Sequence, residues 1–192
     1  MTALLIATRN RHKTGELAAL LGPAFTVEDL SAHPDLPETE ETGDTFAENA
    51  ALKALAASRH VQKLVLADDS GLEVDALDGA PGVRSARFAG PKAGDRDNLR
   101  LLLERMRGRA PRSARFRCVI ALAREGRLIG SFEGVCEGKI IDEPRGKDGF
   151  GYDPVFIPEG YGQTFAELPG EIKNALSHRG KALRATLEFL RG

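Results

Sequence analysis

The feature that most constrains this chain is a short apolar run, Leu4 to Ala7, that breaks into "TRNRHK" and resumes at once as a segment with Leu17, Leu20 and Leu21 at helical spacing. Four apolar residues bounded on both sides read as a buried strand, and Gly22-Pro23 supplies a helix stop. A strand that passes directly into a helix is the unit from which α/β sheets are built. The basic residues therefore sit at a helix N-terminus, where unpaired backbone N–H groups and the positive end of the helix dipole already disfavour added cations. An anion resolves that conflict, and a phosphate is the natural one. Taken alone, the same residues also describe a solvated basic loop.

The rest of the chain extends this pattern. Phe25 to Leu30 reads as a second strand. Thr45 opens a helix reaching to about His60, with Thr45 and Glu48 spaced as a capping box. Leu64 to Ala67 reads as a short buried strand ending in the turn-like "DDSG", and Asp95 to Arg107 as a helix with Leu99, Leu102, Leu103 and Met106 on one face. Phe116 to Ala123 and Leu128 to Cys136 read as antiparallel strands around "REGR", with Lys139 to Ile141 extending or following the second. Val155 to Ile157 reads as a strand, and Glu171 to Leu190 as mainly helical with a break near "SHRGK". The expectation is an α/β fold, a mixed sheet flanked by helices, with two lobes around a central nucleotide-binding cleft and residues 1–192 forming one domain.

Composition excludes several classes. A net charge of -1 with 29% charged residues does not suit a protein that coats nucleic acid or a membrane surface. No apolar run approaches the ~20 residues of a membrane span, and the N-terminus lacks the pattern of a secretion signal, so a cytoplasmic protein is expected. Cys118 and Cys136 flank the turn at Glu125-Gly126 and could face each other across a hairpin, but reduced buried thiols are the expectation.

Several stretches could carry chemistry. Asp68-Asp69 follows an apolar strand, a favoured location for metal-binding carboxylates in an open sheet. Because successive strand side chains point in different directions, one aspartate could brace the turn while the other reaches a metal. Glu38, Glu40 and Glu41 precede the Thr45 helix, where its dipole stabilises them, and one of them could share Mg²⁺ with the aspartates. Lys53, eight residues beyond Thr45 in an alanine-rich helix, could meet a phosphate as a point charge. "GFGYD", Gly149 to Asp153, offers rings for stacking on a base and glycines that let it approach the backbone. "KNALSHRGK", Lys173 to Lys181, adds Lys, His and Arg donors, although as an isolated charge run it would be an exposed face. The chain has no glycine-rich phosphate loop, no G-x-S-x-G elbow and no zinc-type His/Cys spacing.

The ordered set "ATRNRHKTGEL", "EETGDTFAENAALKA", "LADDSGLEVDALDGAPGVRSARFAG", "GKDGFGYDPVF" and "LSHRGKAL" resembles the non-canonical purine nucleoside triphosphate pyrophosphatase family, also called inosine/xanthosine triphosphate pyrophosphatases. The resemblance spans nearly the whole chain and implies a homodimer of mixed α/β subunits that bind a nucleoside triphosphate and Mg²⁺. The implied reaction cleaves between the α and β phosphates, releasing nucleoside monophosphate and pyrophosphate. By motif, Thr8, Arg9, Asn10, Arg11, His12 and Lys13 hold phosphates, with Asn10 and Lys13 as direct contacts and Lys53 adding charge. Glu41 and Asp69 bind the metal, Asp69 is the general base, and Ser70 touches substrate. Phe150, Gly151, Tyr152, Asp153, Lys173, His178 and Arg179 occupy the base-recognition positions. His12 departs from the glycine that many members carry there. No stable nucleic-acid or membrane partner is implied. The rivals are a nucleotide-sensing or RNA-binding module without turnover, and a pyrophosphatase for another modified nucleotide.

Overall fold

The computed structural model describes residues 2–37 and 39–192. Glu38, one of the three glutamates singled out above, lies outside them. The strands are β1 (Thr2–Ile6), β2 (Phe25–Asp29), β3 (Leu64–Val74), β4 (Ser113–Arg124), β5 (Arg127–Ile140) and β6 (Phe156–Pro158). The helices are α1 (Arg11–Leu21), α2 (Phe46–Ser58), α3 (Asp95–Met106), α4 (Gly170–Leu176) and α5 (His178–Arg191).

The strands form a six-stranded sheet in the order β2-β1-β3-β4-β5-β6. The opening strand–helix unit has the consequence expected of it: β1 is parallel to both its neighbours, pairing Leu4 with Val27 of β2 and with Leu64 of β3. The second half is antiparallel. Glu125 and Gly126, both at positive φ (50° and 73°), form the two-residue turn that joins β4 to β5, and β5 pairs antiparallel with β6 through Lys139 and Ile157. The sheet is therefore mixed.

Two compact units share these strands along the chain. The first comprises Met1–Asp69, Cys118–Gly134 and Arg179–Gly192, and the second Ser70–Arg117 and Val135–His178. The first has a core of Leu4, Ile6, Leu17, Leu64, Leu66, Cys118, Ile120 and Leu183. The second is built on Leu72, Leu102, Met106, Phe116, Tyr152, Phe156 and Phe165. Both cysteines are buried and outside any disulfide, each in a different one of these cores.

One boundary was misread from sequence. "DDSG" is not a turn, because β3 continues through it to Val74 with Asp68 and Asp69 both buried. Turn propensity gives way to charge pairing, since the partners described below let both carboxylates stay inside a strand. Elsewhere the expected elements hold within a few residues. Thr45 is the N-cap of α2 with both halves of the capping box formed, and the C-terminal helical segment breaks at Ser177, whose backbone is extended.

Candidate active site

In the first unit the turn between β1 and α1 is tied down from several sides. Asn10 caps α1, its Oδ1 accepting from the His12 and Lys13 N–H groups at 3.0 and 3.3 Å. Thr8 Oγ1 accepts from Asn10 N–H, and Thr14 Oγ1 donates to Asp29 at 2.8 Å. Arg9 donates to the carbonyls of Leu30 and Leu36 at 3.0 and 2.9 Å, so its guanidinium staples the following loop. Arg11 and His12 are exposed in the first turn of α1.

Below that turn the two adjacent aspartates of β3 serve different partners, as the pleat requires. Asp68 Oδ2 takes Lys13 Nζ at 3.1 Å and Arg179 Nη2 at 3.1 Å, while Arg179 Nη1 reaches Glu16. Burial alone would push Asp68 up, but Lys13 and Arg179 more than offset it and hold its carboxyl well below the usual carboxylate range. The same acid keeps Arg179 protonated despite complete burial.

Asp69 turns the other way. Lys53 Nζ stands between Asp69 Oδ1 at 3.1 Å and Glu41 Oε1 at 2.8 Å. Burial raises the Asp69 pKa; Lys53 opposes that effect, the nearby Glu41 charge reinforces it, and the net shift is upward. Lys53, for its part, is held protonated by Asp69, Asp68 and Glu41 against its own burial. Asp69 Oδ2 is buried and has no hydrogen-bond partner among the described residues.

These residues fit a Mg²⁺ ion. Among the described residues no three His, Cys, Asp or Glu side chains gather to hold a metal unaided. Mg²⁺ does not need that many, because it is characteristically held by one or two carboxylates with waters and substrate phosphates completing the shell. Glu41 and Asp69 would supply such a pair, and the ammonium of Lys53 between them marks the place as one that favours positive charge.

The second unit holds an aromatic group. Phe150 N–H donates to Asp153 Oδ2 at 2.9 Å, and Lys173 Nζ donates to the same oxygen at 2.7 Å while lying 5.2 Å from the Phe150 ring centroid. Gly149 is dictated here, because it adopts φ +76° and a Cβ would sit 2.2 Å from Asp153 Oδ2. His178 stacks on Phe116 with centroids 4.8 Å apart and planes 12° apart. Tyr152 is buried with its hydroxyl on the Ser85 carbonyl, and Ser70 is half-buried in β3.

The sequence pattern of the Ham1 family matches residues 4–189. This chain belongs to the Ham1 family. A dITP/XTP pyrophosphatase of Desulforamulus reducens is 53% identical over 190 residues, covering 97% of this chain and 94% of the relative. A protein of the same name from Streptomyces avermitilis is 49% identical over 196 residues, covering 100% and 98%. Among solved structures, a HAM1 protein from Coxiella burnetii superposes with a TM-score of 0.89 at 41% identity, covering 100% of this chain and 99% of that one. The Staphylococcus aureus Ham1 protein gives 0.89 at 39% identity with the same coverage.

Within the Ham1 fold the candidate residues divide by unit. Thr8 to Lys13, Glu41, Lys53, Asp69 and Arg179 belong to the first; Ser70, Phe150 to Asp153, Lys173 and His178 belong to the second. Arg9 donates to backbone carbonyls and Arg179 pairs with Asp68 and Glu16, while Lys13, Lys53 and Lys173 are each ion-paired with carboxylates. Sequence reasoning passed over Glu16, although its position three residues after Lys13 in α1 places both on one helix face and was the available signal.

Proposed function

We propose that this chain hydrolyses non-canonical purine nucleoside triphosphates, namely inosine, deoxyinosine and xanthosine triphosphates, to the monophosphate and pyrophosphate. The carrying observation is Asp69: a buried carboxylate with a raised pKa, one unspent oxygen, and Glu41 and Lys53 as immediate neighbours. An acid whose pKa is raised is a stronger base when ionised, and an oxygen free of described protein donors can accept a proton from water. Asp69 would take the proton of the water that attacks the α phosphorus, and the α–β bridging oxygen would leave with pyrophosphate.

Glu41 and Asp69 would hold Mg²⁺, which when bound supplies charge neutralisation on the phosphate oxygens. A triphosphate brings about four negative charges, so its approach must be offset by cations. Lys13 and Lys53, each now paired with a buried aspartate, would supply the ammonium groups, and the N-terminus of α1 would add its dipole. For the base, Phe150 gives a stacking face while Lys173 and His178 supply donors for a 6-oxo group. Adenine presents a donor at that position and would set donor against donor. A cytoplasmic homodimer is the proposed working form; sedimentation in solution tests its stoichiometry.

The test is a panel of nucleoside triphosphates with Mg²⁺, assayed for orthophosphate with and without added inorganic pyrophosphatase. Signal that depends on the added enzyme supports α–β cleavage. Direct release of orthophosphate would overturn the reaction, and binding of inosine triphosphate without turnover would favour a sensor. Asp69→Asn should lower kcat by about 10²–10⁴-fold, the range for loss of a general base.

A further inference from the structure

The loop that carries Phe150 is held at one point by a residue from a distant helix. Gly151 N–H donates to Asp95 Oδ2 at 2.8 Å, across 56 residues of chain. Asp95 is the first residue of α3 and is exposed. We infer that Asp95 is a positioning residue, whose carboxylate fixes the peptide after Phe150 and so sets the ring for purine stacking. The inference rests on the reading of Phe150 as a base contact.

Four observations carry it. First, the Phe150 backbone is restrained on both sides, by its own N–H on Asp153 and by the next N–H on Asp95. Removing either donor–acceptor pair takes away one of these two backbone restraints. Second, Gly151 sits at φ +61°, a conformation that confers no rigidity of its own on glycine, so the restraint must come from outside the loop. Third, α3 is a rigid base for the tether. Leu102 and Met106 anchor it in the core, and Asn98 on the same helix accepts from Ala89 N–H and donates to the Ala86 carbonyl. That segment in turn receives the Tyr152 hydroxyl at Ser85, so one helix fixes both the turn under Tyr152 and the peptide before it. Fourth, the helix does not need Asp95 as its cap. Asp97 Oδ2 already accepts from Gly94 N–H in the first turn.

An acid at a helix N-terminus also favours the dipole, and this is the competing explanation. The two roles respond differently to Asp95→Asn, which keeps an oxygen acceptor for Gly151 but removes the charge. The experiment compares Asp95→Ala, Asp95→Asn, Phe150→Ala and the Asp95→Ala/Phe150→Ala double variant, using inosine triphosphate with Mg²⁺. Amide hydrogen exchange at Gly151 is followed in the ligand-free proteins.

Asp95→Ala should speed exchange at Gly151 and raise KM about fivefold with kcat nearly unchanged, the scale of one ordinary hydrogen bond. Asp95→Asn should restore both, and the double variant should have the KM of Phe150→Ala alone. The inference fails if Asp95→Ala leaves KM unchanged despite faster exchange, if Asp95→Asn is as impaired as Asp95→Ala, or if the two penalties add in full. An unaltered KM in Phe150→Ala would instead overturn the base reading, and with it any role of Asp95 through that ring.

Discussion

Asp68 and Asp69 are chemically identical neighbours with opposite electrostatic fates. Asp68 faces two cations and is held ionised; Asp69 faces a lysine shared with Glu41 and is held with a raised pKa. For Asp68, whose folded pKa lies below the unfolded value, the contribution to stability is present above pH 3.8 and is lost as pH falls through the folded value. Asp68→Asn should therefore be destabilising across the neutral range, by about 3 kcal/mol, because Lys13 and Arg179 lose their buried counter-charge. Urea unfolding at pH 7 measures this. Asp69 has the reverse sign. An acid whose folded pKa is raised binds its proton more tightly when folded, so stability declines as pH climbs from 3.8 through the folded value. In the absence of divalent metal, Asp69→Asn should thus raise the thermal midpoint at pH 7. A lowered midpoint in calorimetry would contradict this account, in which the site holds a charge at the expense of stability. Cys118, pushed up to about 12 chiefly by burial, should resist alkylation by iodoacetamide at pH 8 in the native protein and react only on unfolding.

At the scale of elements, the decisive junction is β1 to α1. Asn10 connects strand to helix by capping the first N–H groups of α1 with its own side chain. Asn10→Ala should lower stability by about 1 kcal/mol, as cap removal generally does. It should also raise KM for the triphosphate, since Lys13 is one of the two residues whose N–H groups the cap orders. Equilibrium unfolding and steady-state kinetics on the same variant check both effects. The junction was legible in the sequence because its determinants are local: an apolar run, a capping residue, a leucine face and a Gly-Pro stop. The capping box at Thr45 was legible for the same reason. β3 was not. Asp-Asp-Ser-Gly favours a turn in isolation, and the strand persists only because Lys13, Arg179 and Lys53, brought from other elements, neutralise its two acids.

For the whole molecule, the proposed function makes stability and ligand inseparable. Mg²⁺ alone has two carboxylates to bind and should shift the thermal midpoint little. Mg²⁺ with a non-hydrolysable inosine triphosphate analogue at 100 times its Kd should stabilise the folded chain by about 2.7 kcal/mol, read by calorimetry. The sequence by itself determined the mixed α/β class, most elements and the family motifs, because hydrophobic period, caps and turn residues act over a few positions. It also determined which residue types could meet a phosphate, a metal or a base. Tertiary structure alone decided how those groups are committed. It turned Asp68 toward two cations and Asp69 toward Glu41 and Lys53, spent Arg9 on carbonyls, buried Arg179 against Glu16, and brought Asp95 to Gly151. Each of these pairings joins residues from separate elements or from loops beyond them, and the energy of a charge depends on what surrounds it in space.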